Sequence, residues 1–171
     1  MRAGVVMRGD VVIRDARDPA DIPAIRRLFE AYAASLDVDL CFQNFAHELA
    51  ALPGDYAPPH GALLLAERGD VHVGCVALRP LRDEALRRIG EVKRLYVVPE
   101  ARGTRTGHAL MQALIARAQV GGYDELKLDT LVTMTSARTL YAALGFRPCA
   151  PYYPNPLPGV GYLSLTLRPP S

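Results

Sequence analysis

One stretch, VPEARGTRTGHALMQALIARA from Val98 to Ala118, limits the possible folds more than any other. The apolar run EVKRLYVV, Glu91 to Val98, stops at Pro99, and a loop rich in Gly, Thr and Arg follows. Leu110, Ala113, Leu114 and Ala118 then recur at helical spacing, widened by Met111 and Ile115. A strand that passes through a glycine-bearing loop into a helix makes an anion site of the junction. The first amides of a helix lack internal partners, and the helix dipole adds positive charge there. The loop offers the amides from Gly103 to Gly107, flanked by Arg102, Arg105 and His108, with hydroxyls from Thr104 and Thr106. It lacks the Gly-Lys-Ser/Thr end of a P-loop and has one glycine too few for a dinucleotide fingerprint. Taken alone, it fits an anion cradle and an ordinary strand–helix turn about equally well.

The remaining elements place this junction in a mixed sheet covered by helices. DVVIRDA, from Asp10, reads as a strand. Asp18 or Asp21 then caps a helix carrying Ile22, Ile25, Leu28, Phe29, Tyr32 and Leu36. A loop and a short helix ending near Leu52 lead to a hairpin, Leu63–Glu67 and Val71–Leu78, around Arg68-Gly69-Asp70; that triplet is read as a turn and not as an adhesion motif. After the opening junction come Gly121-Gly122 as a helix stop, the strand ELKLDTLV, a second amphipathic helix TSARTLYAALGF ending at Gly145, and two strands around a Pro-rich loop, the last from about Gly161 to Leu167.

At 171 residues the chain fits one domain, residues 10–171, with 1–9 read as a loose N-terminal arm. The net charge of +2 gives no argument for a nucleic-acid partner, and no run is long and apolar enough for a bilayer. The first residues lack the pattern of a signal peptide. Cys41, Cys75 and Cys149 are scattered, with no zinc spacing and no disulfide frame. These readings lead to a cytoplasmic protein without a metal or a membrane partner.

The segment Arg102-Gly103-Thr104-Arg105-Thr106-Gly107, followed by HALMQAL, resembles the GNAT superfamily of acyl-CoA-dependent N-acetyltransferases. EVKRLYVVPEARG looks like that family's fourth strand, SARTLYAALGF like its Ala-x-x-Leu-Tyr-x-x-x-Gly-Phe signature, and IRDARDPADIPAIRRLF like its usual opening. The match covers nearly the whole chain in the right order. It implies a mixed α/β fold with a mostly antiparallel, twisted sheet of six to seven strands and about four helices. There are two departures: the first family glycine is Arg105, and a frequent Asn is Met134. Arg105 therefore has three readings. Its side chain reaches the pyrophosphate; or it faces solvent while its amide serves; or its Cβ closes the loop.

The resemblance implies acetyl-CoA as co-substrate and direct attack by a primary amine, most simply that of a small molecule. Cofactor contacts are implied for Leu95, Tyr96, Val97, Arg102, Gly103, Thr104, Arg105, Thr106, Gly107, His108, Thr130 and Arg138. Tyr141 matches the family tyrosine near the sulfur and is the candidate general acid; its alternative is a packed helix tyrosine. Glu91 stands where several members place a basic carboxylate, and Asp129 is the second candidate. Each could instead be structural, Glu91 as a solvated strand end and Asp129 as a loop anchor. The acceptor side falls on Phe42, Gln43 and Phe45 and on Tyr152, Tyr153 and Asn155, whose aromatic faces suit a cationic amine. Two other readings stay open: an acyl-CoA sensor without turnover, and a toxin-type member acting on charged tRNA, against which the near-neutral charge argues. The last strand offers an edge through which a homodimer could form.

Overall fold

The computed structural model describes residues 6–8, 10–40, 44–81 and 87–168. Among them, eight strands form one sheet: β1 (Val6–Arg8), β2 (Val11–Asp15), β3 (Ala62–Arg68), β4 (Val71–Leu81), β5 (Ile89–Val97), β6 (Glu125–Leu131), β7 (Arg147–Pro148) and β8 (Val160–Thr166). The order is β1-β2-β3-β4-β5-β6-β8-β7, antiparallel throughout except for the parallel pair β5–β6. This is one strand more than the sequence indicates. Residues 6–8, read as part of a loose arm, pair with Val11–Ile13.

The four helices are α1 (Ile22–Ser35), α2 (Phe45–Ala51), α3 (Thr106–Val120) and α4 (Thr135–Ala143). The entry to α1 is fixed by chemistry. Asp18 accepts from Ala20 N at 2.8 Å and caps a 3-10 turn, while Asp21 reaches back to the Asp18 amide. Arg14 forks onto both Asp21 oxygens at 2.9 and 2.8 Å, tying the helix start to β2.

Strand periodicity gives the sheet two buried faces. Ala62, Leu64 and Ala66 of β3 pack with Leu110, Met111 and Leu114 of α3 and with Tyr141 of α4. Leu63 and Leu65 pack on the other face with Ile25, Leu28 and Phe29 of α1. Each fully buried Leu contributes on the order of 1.5–3 kcal/mol.

Two irregularities position the site. In β5, Arg94 and Leu95 together oppose the single residue Val76, and Arg94 has φ +61°. This bulge bends the strand. Opposite it, Gly74 is required, because a Cβ there would lie 2.8 Å from the Tyr96 carbonyl oxygen. Beyond the bulge's neighbourhood, β5 and β6 pair only over Ile89–Glu91 with Glu125–Lys127. Both strands then continue apart and open a wedge in the sheet.

Candidate active site

The N-terminus of α3 faces the open wedge across a groove of about 670 Å³. Leu95, Tyr96 and Val97 of β5 form one wall; Arg102, Gly103, Arg105, Thr106, Gly107 and His108 form the second; Met134 to Ala137 and Leu140 form the third. Arg105 is the N-cap residue, with φ +62°, and Gly103 has φ +77°. The first ladder bond of α3 runs from Ala109 N to Arg105 O at 3.0 Å, so the amides of Thr106 and Gly107 precede the ladder. A Cβ at Gly107 would touch the groove-lining side chains of Leu140 at 3.4 Å and Val97 at 3.8 Å.

Not every loop side chain points into the groove. The Thr104 hydroxyl donates to Ala101 O at 2.5 Å and meets Thr106 Oγ1 at 2.9 Å, closing the loop on itself. Arg102 lies against the Tyr96 ring and donates through Nε to Val97 O at 3.0 Å. Arg105 is exposed and has no ion pair among the described residues. Thr130 lies outside the groove lining, buried on the wall of the cavity that adjoins it and donating to Met134 Sδ at 3.8 Å, and Arg138 is exposed on α4 outside the groove lining.

The inner end of the groove adjoins a cavity of about 40 Å³, with Tyr32, Leu36, Leu95 and Met134 common to both. Tyr141 and Asp129 stand on the cavity wall. Burial pushes the Tyr141 phenol above its usual 10.0, and Tyr32 and Asp129 add to the shift, so it stays an O–H donor. Asp129 accepts from the Tyr153 hydroxyl and from Asn155 Nδ2, the latter at 3.0 Å. Lys93 Nζ lies 3.9 Å from Asp129 and 3.3 Å from Glu91 Oε1, which also takes Arg79 at 2.9 Å. Burial lowers the Lys93 ammonium, with Glu91 opposing. Glu91 itself is 1% exposed and is not part of the cavity wall.

The remaining acceptor-side residues are divided. Phe42 and Gln43 lie outside the described residues. Phe45 opens α2 with its ring 5.1 Å from the Arg94 guanidinium. Of the C-terminal loop, Asn155 lines the cavity. Tyr153 stands behind it on Asp129, and the buried Tyr152 hydroxyl turns toward Glu91 with no partner inside hydrogen-bond distance. Sequence reasoning missed Tyr32, which its helical spacing assigned to the core, and Arg94, whose left-handed backbone leaves no trace in residue type. Among the described residues, no group of three or more His, Cys, Asp or Glu could hold a metal ion. No helix among them is long and apolar enough to cross a membrane.

Residues 59–148 match the family model of the acetyltransferase (GNAT) domain. Over 160 residues the chain is 38% identical to an uncharacterized N-acetyltransferase of Schizosaccharomyces pombe, covering 92% of this chain and 96% of that protein. The chain belongs to the GNAT acetyltransferase family. The fold agrees. A GNAT-family acetyltransferase from Staphylococcus aureus Mu50 superposes with a TM-score of 0.74 at 18% identity, covering 92% of this chain and 99% of that one. A Salmonella typhimurium structure described with its cofactor acetyl-CoA superposes with a TM-score of 0.68 at 22% identity, covering 93% and 95%.

In this GNAT acetyltransferase, Arg105 occupies the position of the first loop glycine in the family pattern. The φ of +62° gives the physical reason for glycine at that point. Arg105 adopts the same left-handed conformation, and the groove stays open beside it.

Proposed function

We propose that this acetyltransferase moves the acetyl group of acetyl-CoA onto the primary amine of a small molecule, by direct attack in a ternary complex. The observation that carries this reading is the continuity of an anion-ready groove with an inner cavity that holds Tyr141 and Asp129. The residues of the groove fit the co-substrate. The amides of Thr106 and Gly107 and the Arg105 guanidinium receive the pyrophosphate, and the missing Cβ of Gly107 leaves room for it. Acetyl-CoA supplies the activated thioester.

The protein's own groups do the rest. The backbone around Leu95–Val97, turned by the bulge, polarises the carbonyl. Tyr141 hands its proton to the departing thiolate. Asp129 receives the incoming ammonium and its proton. Glu91, the other candidate base, acts one step behind, fixing Lys93 beside Asp129. Leu36, Val38, Leu40, Val92, Leu131 and Leu157 line the cavity together with Asp129, Lys93 and Arg94, and this aliphatic share of the wall favours an amine on a compact aliphatic stem. Cys75 and Cys149 are both free, in keeping with a cytoplasmic setting.

A free-thiol assay with acetyl-CoA and a panel of n-butylamine, an amino acid and an aminoglycoside tests the proposal. CoA release is expected with the alkylamine and wild-type protein, with Tyr141→Phe slower by about 10²-fold or more. Binding of acetyl-CoA with no thiol released by any amine would replace the enzyme reading with a sensor.

A further inference from the structure

The bulge in β5 is held from an unexpected direction. Arg94 has a left-handed backbone and is only 4% exposed. Its guanidinium forks onto Glu48 of α2, with Nε to Oε2 at 2.9 Å and NH2 to Oε1 at 3.2 Å. The rings of Tyr32 from α1 and Phe45 from α2 lie 5.7 and 5.1 Å from it. Glu48 is fixed in turn by the Tyr56 hydroxyl at 2.8 Å, and the Arg94 carbonyl accepts from Cys75 Sγ at 3.3 Å. A non-glycine residue in the left-handed region is strained, because its Cβ crowds the following carbonyl oxygen. It persists where the surroundings over-determine it, and here two helices and the neighbouring strand do so.

We infer that the Arg94–Glu48 pair positions the acetyl group: it locks the bulge so that the backbone of Leu95, Tyr96 and Val97 presents its donor to the thioester carbonyl. Arg94 is a positioning residue. Its side chain points to the acceptor-side helix, while its backbone sets the cofactor-side wall. The pair thereby couples α2 to the groove wall formed by Leu95, Tyr96 and Val97 of β5. Lysine cannot replace arginine in this role, because the fork and the stacking between two rings need a planar guanidinium. The inference rests on the acetyl-CoA reading above.

The test uses acetyl-CoA labelled with ¹³C at the carbonyl, bound to the wild type, Glu48→Gln, Arg94→Lys and the double variant Arg94→Gly/Glu48→Gln. The double variant removes both charges of the pair and gives the left-handed position a residue that tolerates it, so it stays folded if the single changes do not. In the wild type the bound carbonyl resonance is expected downfield of free acetyl-CoA. In every folded variant it is expected to return toward the free value, while the calorimetric Kd changes less than about threefold and acetyl transfer to n-butylamine falls about 10²-fold. A folded variant with wild-type resonance and wild-type transfer would overturn the inference and leave the pair a packing device. A wild type that does not bind acetyl-CoA would overturn the acetyl-CoA reading along with it.

Discussion

Arg105 carries a conformation suited to glycine and a charge suited to phosphate. Arg105→Gly separates the two. Relief of the left-handed strain should raise stability by about 1 kcal/mol, and loss of the charge-assisted contact should weaken acetyl-CoA binding about tenfold. Thermal melts and calorimetry read the two effects independently; weaker stability together with unchanged affinity would refute both assignments. Tyr141 offers a second test at this scale. Its buried phenol titrates above the usual 10.0, so the pH profile of transfer should show no alkaline loss from Tyr141 below that value. A descending limb near pH 8 that vanishes in Tyr141→Phe would show the assignment to be wrong.

At the scale of elements, the entry to α1 depends on Asp21. Arg14, beside it, holds its carboxyl below the usual 3.8. The contribution to stability is therefore present above 3.8 and is lost as pH falls through the lower folded value. Asp21→Asn should cost about 1–2 kcal/mol at pH 7. The gap to wild type should narrow as pH falls below 3.8 and close once pH passes the lower folded value, where both carry an uncharged side chain. Denaturant melts at several pH values would show it, and a gap independent of pH would contradict the ion-pair account. Most elements were legible in the sequence. The apolar stripe of α3, the Asp18–Asp21 cap and the stops at Gly121 and Gly145 all have local chemical causes. β1 was missed because three residues give too short an alternation to read. The bulge was missed because Arg94 is no obvious residue for a positive φ.

For the molecule as a whole, what matters is how distant elements meet. The loop at α3 and the Tyr141 helix were readable as motifs, since each is contiguous in the chain. The cavity between them was not, because it is assembled from α1, β5, β6 and the C-terminal loop. The same cause explains why Tyr152 and Tyr153, read as pocket walls, stand behind the wall, Tyr153 on Asp129 and Tyr152 with its hydroxyl outside hydrogen-bond distance of any partner. Tyr153→Phe should therefore leave acetyl-CoA affinity unchanged and raise the KM of the amine, which steady-state kinetics would detect.

The cradle formed by strand, loop and helix is the foundation of the whole account, and calorimetric titration of acetyl-CoA into wild type and Gly107→Ala tests it most directly. A Cβ at residue 107 meets only ordinary contacts within the protein, so the variant should fold with an unchanged melting temperature. Saturable binding to wild type, weakened about tenfold or more in Gly107→Ala, is the predicted result. Equal affinity in the two proteins, or no binding to wild type, would contradict it.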